Sequence, residues 1–497
     1  MSMSARLRAE LLAALPGHIQ RPVYDRQQHG VGIVHLGIGA FHRAHQAAIL
    51  DDVLARTGGN WRSVGISCRS RTVREHLVPQ DCLYTVVERA SEGERLRIIG
   101  TVADVLVAPD DPAAAIAVMA RAATHIISLT VTEKGYCRDA AGGLNTEHPD
   151  IAHDLAAPST PRTAVGLLTE ALRQRRLRGA TALTLLSCDN LPQNGRVLKR
   201  VLLDFASRTD PATADWIERE LACPSTVVDR IVPATTPEDI AAVAEVLGCC
   251  DDAVVVTEPF SRWTIEDRFG GPRPRFEVAG AQLVSDVRPF ELAKLRLLNG
   301  SHSTLAYLGS LAGFRFVHEV IADRDFRALV QHLLRAELAP TVPAAPGLDL
   351  QAYQAALLRR FANPALRHQL SQIAMDGSQK LPQRLLEPAQ SLLERGLPFD
   401  GLALAIAGWI RYALGRDESG GRYVVDDPLA GRLAAIADLR GADAEQFVGA
   451  LLELSEVFGE PLRNHPAFRA ALARQLQSLL VRGARATVRA LVQQLSG

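Results

Sequence analysis

Short β-branched runs alternate with helix-length segments from residue 31 to about 285, and from about 290 onward the β-branched runs stop. Six segments have the length and composition of strands: "GIVHLGIG", "WRSVGIS", "HIISLTVT", "TALTLLSCDN", "TVVDRIVP" and "AVVVTEP". Helical patterns such as "RTAVGLLTEALRQRRL" lie between them. Alternation over this length implies a mostly parallel sheet with helices on both faces. After 290, "RALVQHLLRAEL", "LQAYQAALLRRF", "PAQSLLERG", "LALAIAGWIRYALG" and "FRAALARQLQSLLVRGARATVRALVQQL" all have helical spacing. The chain therefore reads as an α/β domain over 1–287 and an all-α domain over 288–497, parted near "SDVRPFELAK". Its 497 residues are too many for one ordinary core, which agrees with that division. The opening "MSMSARLRAELLAALPGH" reads as an amphipathic helix and not as a signal peptide.

Lys plus Arg and Asp plus Glu number 55 each, so the charge balance points to neither nucleic acid nor an anionic membrane. No stretch approaches about 20 uninterrupted apolar residues, so no membrane-spanning helix is expected. The seven cysteines are scattered and form no C-x-x-C. That usage argues against a disulfide framework and against structural zinc, and it fits a reducing, cytoplasmic setting.

"VGIVHLGIGAFHRAH" begins as a buried strand, turns at Gly37-Ile38-Gly39 and runs into a helix through Ala40, Phe41 and His42. A dinucleotide site requires this context: the first glycine makes the turn, and the second lets the backbone approach a pyrophosphate at the helix N-terminus. His42 stands where the usual fingerprint has its third glycine. A carboxylate ending the second strand would bind the ribose of NAD, but "WRSVGISCRSR" ends in Cys68, Arg69, Ser70 and Arg71. Arg69 and Arg71 read either as acceptors of the 2′-phosphate of NADP or as solvated loop cations. Beyond other strand ends lie Glu133 and Lys134, Asn190 and Asp229, on the edge where a substrate would meet the cofactor.

"ELAKLRLLNGSHSTLAYLG" sets Lys294, Asn299 and His302 among leucines. On one regular α-helix the three span an arc of roughly 140°, with Lys294 and His302 about 12 Å apart along the axis. A bend at Gly300-Ser301 would shorten that distance. Hydride transfer to or from a secondary alcohol carbon needs a base for the hydroxyl proton and donors for the developing alkoxide. The chain shows no convincing zinc ligands, and none of its seven tyrosines has Lys four residues later. A desolvated lysine is the remaining base, with Asn299 and Asn190 as oxyanion donors and His302 to hold the substrate hydroxyl or orient the lysine.

Taken in order, "HLGIGAFHRAHQA", "SLTVTEKGY", "SCDN", "VVDRIVP", "EPFSRWTIED", "KLRLLNGSHS" and "MDGSQKLPQR" resemble the mannitol dehydrogenase family, the long-chain polyol-specific dehydrogenases. The resemblance covers nearly the whole chain. It implies a Rossmann domain and a helical domain with the site between them, no metal, and NAD as cofactor, with NADP the less frequent choice. The family's K-x-x-x-x-N-x-x-H motif falls on Lys294, Asn299 and His302, with the lysine as general acid/base. Asn190 takes the second oxyanion position, Asp229 the "VDR" aspartate, and Glu291 a glutamate linked to proton exchange with solvent. Members act on a C2 ketone beside a CH2OH group, and the far end of the substrate differs among them. "TEKGYC" and "QIAMDGSQKLPQRLL" look more like the hexuronate reductase branch, and Gln372 stands where mannitol 2-dehydrogenases carry a substrate-binding arginine. Lys380, and more weakly Arg384, are the cations expected to hold a substrate carboxylate. The expectation is an enzyme that interconverts D-fructuronate and D-mannonate, with a mannitol 2-dehydrogenase or arabinitol-type enzyme as the alternative. A dinucleotide-binding sensor without turnover is the reading from another class. The expected partner is a small sugar acid or polyol, for a chain that is monomeric or weakly oligomeric.

Overall fold

Strand β1 (Val31–Leu36) sets the plan of the N-terminal part, because its side chains alternate between two cores. Val34 and Leu36 pack with Ile127, Leu168 and Leu172, while Ile33 packs with Ile49, Ile126 and Leu186. The computed structural model describes residues 5–139, 141–181, 183–440 and 443–496. It divides into two compact units, Met1–Arg288 and Pro289–Gly497.

In the first unit, β1 is flanked by β2 (Arg62–Ser67), and ten further strands follow β1 along the chain. These are β2, β3 (Tyr84–Ala90), β4 (Gly93–Ile99), β5 (Val102–Val107), β6 (Ile126–Leu129), β7 (Thr184–Ser187), β8 (Thr226–Asp229), β9 (Val255–Thr257), β10 (Arg262–Glu266) and β11 (Gln282–Val284). The main sheet has the order β5-β2-β1-β6-β7, and all its pairings are parallel. Its order reverses between β1 and β6, the crevice where open α/β sheets bind ligands. Two small mixed sheets accompany it, β11-β10-β8 and β4-β3-β9.

The expected alternation is present, with three corrections. The segment 84–107, in which no strand is expected, forms the β3–β4 hairpin and the edge strand β5. Second, β8 and β9 lie outside the main sheet: β8 pairs antiparallel with β10, and β9 pairs with β3. A buried run of three or four residues carries no pattern that selects its partner. Third, the N-terminal segment forms a short 3₁₀ helix, Ala9–Ala14, in place of an amphipathic α-helix. Its preceding backbone is drawn out by pairing with Cys250, whose N–H donates to Ala5 O while Leu7 N–H donates to Cys250 O.

In the second unit the described residues are helical and contain no strand. Helices Ser301–Leu311 and Asp400–Tyr412 form its centre, with Leu305, Leu308, Leu404, Ile406 and Trp409 buried. The long C-terminal helical stretch, Pro466–Ser496, is broken at Gly483 (φ 76°, ψ 170°). Glu418 accepts from Ala484 N–H there, which supplies a cap for the helix that restarts.

Candidate active site

The turn after β1 is built as the glycines predict. Gly37 has φ +87°, and a Cβ there would lie 2.1 Å from Thr130 O. Helix α1 (Ala40–Ala44) starts at once, with Gly39 at its N-cap, and α2 (Gln46–Thr57) follows. Gly39 is exposed, and a Cβ on it would meet nothing nearer than Gly37 O at 3.8 Å. Packing therefore does not demand glycine at 39. The open space lies over free helix-start amides, which suits the close approach of a phosphate. Ile38 is buried against Gly65, and Ala40 and Phe41 are half-buried. His42 is fully buried and stacks on His35 with ring centroids 3.4 Å apart, so its side chain belongs to the floor of the loop and not to its rim.

Sequence reasoning missed the network under this loop. His35 Nε2 lies 2.9 Å from Thr130 Oγ1, which donates to Gly37 O at 2.8 Å. The threonine proton is thereby spent, so His35 must donate from Nε2 and accept at Nδ1 from Ser128 Oγ, 2.7 Å away. Burial pushes the His35 pKa down to about 3, which keeps it in this neutral tautomer. From the other side, buried Arg230 donates to Ala44 O at the end of α1, to Glu258 O and to Glu88. A histidine in a strand and the arginine of "VDR" were the only signals in the sequence, and neither reveals its partner.

At the end of β2, exposed Arg71 is held by Asp110 through Nε and Nη2, and Arg69 is exposed beside the loop. Glu133 and Lys134 are exposed in the 3₁₀ turn that follows β6, and Asn190 is exposed after β7. Asp229 is buried as the last residue of β8, which lies outside the main sheet and meets the end of β7 where Thr226 Oγ1 donates to Ser187 O. The "SCDN" segment holds a second missed group. The Asp189 carboxylate accepts from Thr132 N at 2.8 Å, Val131 N at 3.2 Å and Tyr136 Oη at 2.8 Å. Nearby, Asn194 bridges to β8 by donating to Thr226 O and accepting from Thr226 N.

In the second unit, the lysine segment is not one regular helix. Glu291 lies half-buried in the helix Arg288–Ala293, and Lys294–Gly300 is a π-helix that passes into the α-helix Ser301–Leu311. There is no bend at Gly300-Ser301, where both residues have helical dihedrals. In a π-helix the hydrogen bond runs from i to i+5. Residues five apart therefore come to one face, where an α-helix would rotate them well past alignment. Lys294 and Asn299 are five apart, and His302 follows Asn299 by the three residues that align on an α-helix. The spacing of the motif thus matches a π-turn followed by an α-turn. Gly300 permits the close packing behind them, since a Cβ there would lie 2.9 Å from Arg384 O.

Asn299 and His302 are buried. Burial first, then His368, Arg360 and Arg384, hold the His302 imidazole well below its usual range and so keep it neutral. Its ring packs 4.7 Å from Phe361 and 5.2 Å from His368. Its Nε2 is buried without a hydrogen-bond partner among the described residues, as expected of an atom kept for a ligand. Arg384 donates to Ser303 Oγ at 3.1 Å, one position beyond His302. Lys380 directs its ammonium to Met375 O at 2.5 Å. Arg384 is thus a cation that reaches the helix of His302, and Arg360 also acts on the His302 imidazole. Among the described residues no three His, Cys, Asp or Glu side chains gather as a metal site, and no helix is long and apolar enough to cross a membrane.

Comparison with known proteins finds matches along almost the whole chain. Residues 31–278 match the mannitol dehydrogenase Rossmann domain, and residues 286–480 match the mannitol dehydrogenase C-terminal domain. D-mannonate oxidoreductase of Escherichia coli K12 is 46% identical over 95% of this chain and 98% of that protein. A mannitol 2-dehydrogenase of Phaeosphaeria nodorum is 41% identical over 94% of this chain and 82% of that protein. The solved ternary complex of Pseudomonas fluorescens mannitol 2-dehydrogenase with NAD and D-mannitol superposes with a TM-score of 0.87 at 37% identity, covering 98% of this chain and all of that one. With both domain models matched and relatives of this similarity along almost the full length, the chain belongs to the mannitol dehydrogenase family of oxidoreductases.

Proposed function

We propose that this chain is an NAD-linked oxidoreductase that reduces the C2 ketone of a hexuronate, D-fructuronate to D-mannonate. The reading is carried by the π-to-α turn, whose register matches the spacing of Lys294, Asn299 and His302, and by the buried, neutral His302, whose Nε2 has no hydrogen-bond partner among the described residues. The 46% identity to a D-mannonate oxidoreductase supports the substrate class. The alternative is a mannitol 2-dehydrogenase or a related polyol dehydrogenase, favoured by the likeness to the complex with NAD and D-mannitol.

The nicotinamide, when bound, supplies the hydride to C2. The amides that open α1 and the space over Gly39 would hold its pyrophosphate, with Arg69, Glu133 and Asp229 assigned to the same cofactor. Lys294 gives a proton to the C2 oxygen as the carbonyl is reduced, and takes it back when the alcohol is oxidised. Asn299 stabilises that oxygen while it carries charge, and the family motif adds Asn190 as a second donor. His302, which is neutral, hydrogen-bonds a substrate hydroxyl through Nε2. Glu291, three residues before Lys294, is assigned to proton exchange with solvent. Arg384, with Lys380, is assigned to the distal carboxylate.

A carboxylate partner of this kind contributes about 1.5–3 kcal/mol per charge-assisted hydrogen bond. The kcat/KM for fructuronate is therefore expected to exceed that for fructose by about 10–100-fold. Arg384→Leu should erase most of that difference, and Lys380→Met should erase less of it. The panel is run with NADH and NADPH, and NADH is expected to be preferred. Faster oxidation of mannitol than of mannonate would transfer the assignment to the polyol branch. Absence of turnover on every keto sugar and uronate would favour the sensor.

Since Lys294 is assigned the proton, prolonged dialysis against a chelator should leave kcat unchanged. Loss of activity that zinc restores would reject lysine as the sole group activating the alcohol.

A further inference from the structure

Thr132, three residues beyond β6, has φ 67° and ψ 164°. This region is essentially reserved for glycine, and a β-branched residue in it is strained. The residue is exposed at the carboxyl end of β6, on one flank of the crevice at which the sheet order reverses. The other flank is the Gly37 turn, which already meets this segment through Thr130. Strain of this kind persists only where surrounding groups over-determine the backbone.

Those groups are present. Asp189 Oδ1 accepts from Thr132 N–H at 2.8 Å, and Oδ2 accepts from Val131 N–H at 3.2 Å. Oδ2 also accepts from Tyr136 Oη, four residues beyond Thr132. The tyrosine hydroxyl gives its proton to the carboxylate, so Ser187 Oγ must donate to Tyr136 Oη across their 2.5 Å contact. One buried carboxylate thus grips both peptide N–H groups that lead into the strained residue, together with the far end of the same loop.

We infer that Asp189 is a positioning residue of the cofactor crevice: its carboxylate, braced by Tyr136, forces Thr132 into a left-handed conformation so that the loop after β6 is fixed before the dinucleotide arrives. Asp189 touches no reacting atom in this account. It acts through the Val131–Tyr136 loop, and the inference rests on the reading of the crevice as the NAD site.

The two oxygens of Asp189 both face donors, and asparagine has only one oxygen. Whichever way the amide of Asp189→Asn turns, its NH2 meets a donor, and one end of the grip opens. Titration of protein fluorescence with NADH reads the effect directly. The wild-type titration decides the cofactor reading on its own, since a protein that does not bind NADH rejects that reading before any variant is made. Given binding, Asp189→Asn should raise the NADH Kd by roughly 10-fold, the factor that strain of this size is worth. Thr132→Gly in the Asp189→Asn background should recover most of the loss, because glycine takes this conformation without a clamp. Val131→Gly in the same background should recover nothing.

A merely structural role for Asp189 would show as a lowered Tm with no selective rescue by glycine at 132. The inference is overturned if Asp189→Asn binds NADH as the wild type does, if Thr132→Gly fails to rescue, or if Val131→Gly rescues equally. Should Asp189→Asn not fold, hydrogen exchange on the wild-type protein decides. The Val131 and Thr132 amides should be protected well beyond exposed loop amides, and exchange at the loop rate would overturn the inference.

Discussion

Lys294→Ala is expected to lower kcat for ketone reduction by about 10²–10⁴-fold while the protein stays folded and still binds NADH. The residue is half-buried in the π-helix, five residues before Asn299 and eight before His302. Neither neighbour can replace it. Asn299 has no proton to exchange at ordinary pH, and His302 is kept neutral by burial and by Arg360 and Arg384, which leaves it a weak acid source. Folding should survive, because the turn is packed through Leu297 and Leu298 and through the Gly300 contact with Arg384 O. Lys294→Arg separates proton transfer from charge: arginine keeps the cation but does not release a proton in the working range, so it should be nearly as inactive as alanine. The check is single-turnover reduction with NADH across pH 6 to 9, alongside circular dichroism and NADH titration. Near-normal turnover of folded Lys294→Ala at every pH would remove the lysine from the mechanism. Restoration by arginine would turn its role into charge stabilisation of the alkoxide.

What could be read from the sequence differed between the two parts of the chain. The Gly37 turn was legible because three independent signals coincide there: a buried strand, a glycine that needs positive φ, and a helix start. The passage from α/β to all-α was legible from the loss of β-branched runs. The placement of Asp229 was not, because four buried residues look the same in a parallel main sheet and in an antiparallel satellite. The π-helix was hidden for a different reason. Leucine spacing fits an α-helix closely enough, and only the fivefold interval from Lys294 to Asn299 records the wider turn. Asp189 and His35 were hidden because their partners lie 53–58 and 93–95 positions away along the chain, and no local pattern links a carboxylate to the backbone of another loop. Arg384 was ranked below Lys380 on motif position alone. The contact of Arg384 with Ser303 could not be read there, since it depends on how two helical segments pack and not on either sequence.

Acidification from pH 7 to 5 should lower the Tm of the first unit by roughly 5 °C or more. His35 and His42 lie face to face and fully buried beneath the Gly37 turn. Burial brings His35 down to about 3, and burial, with His35 and Arg43 beside it, holds His42 well below the usual range. In the unfolded chain each imidazole has a pKa of about 6.5. The folded values are lower, so the unfolded chain takes up protons first as the pH falls. The stabilisation is complete above about pH 6.5 and is lost progressively toward the folded values, at about 1.4 kcal/mol per pH unit for each histidine. For His35 alone, the one and a half units below 6.5 cost about 2 kcal/mol, and His42 adds to that loss in the same direction. Asp189 and Asp251, whose carboxyls are raised by burial, act in the opposite sense. His35→Asn tests the account, because asparagine retains an amide donor and a carbonyl acceptor for Thr130 and Ser128 but cannot take up a proton. Its Tm at pH 7 should fall, while its dependence on pH should flatten by the contribution of one histidine. A wild-type Tm that stays level between pH 7 and 5 would show that the stacked pair is protonated or hydrated in the folded protein, and the neutral tautomer assigned to His35 would go with it.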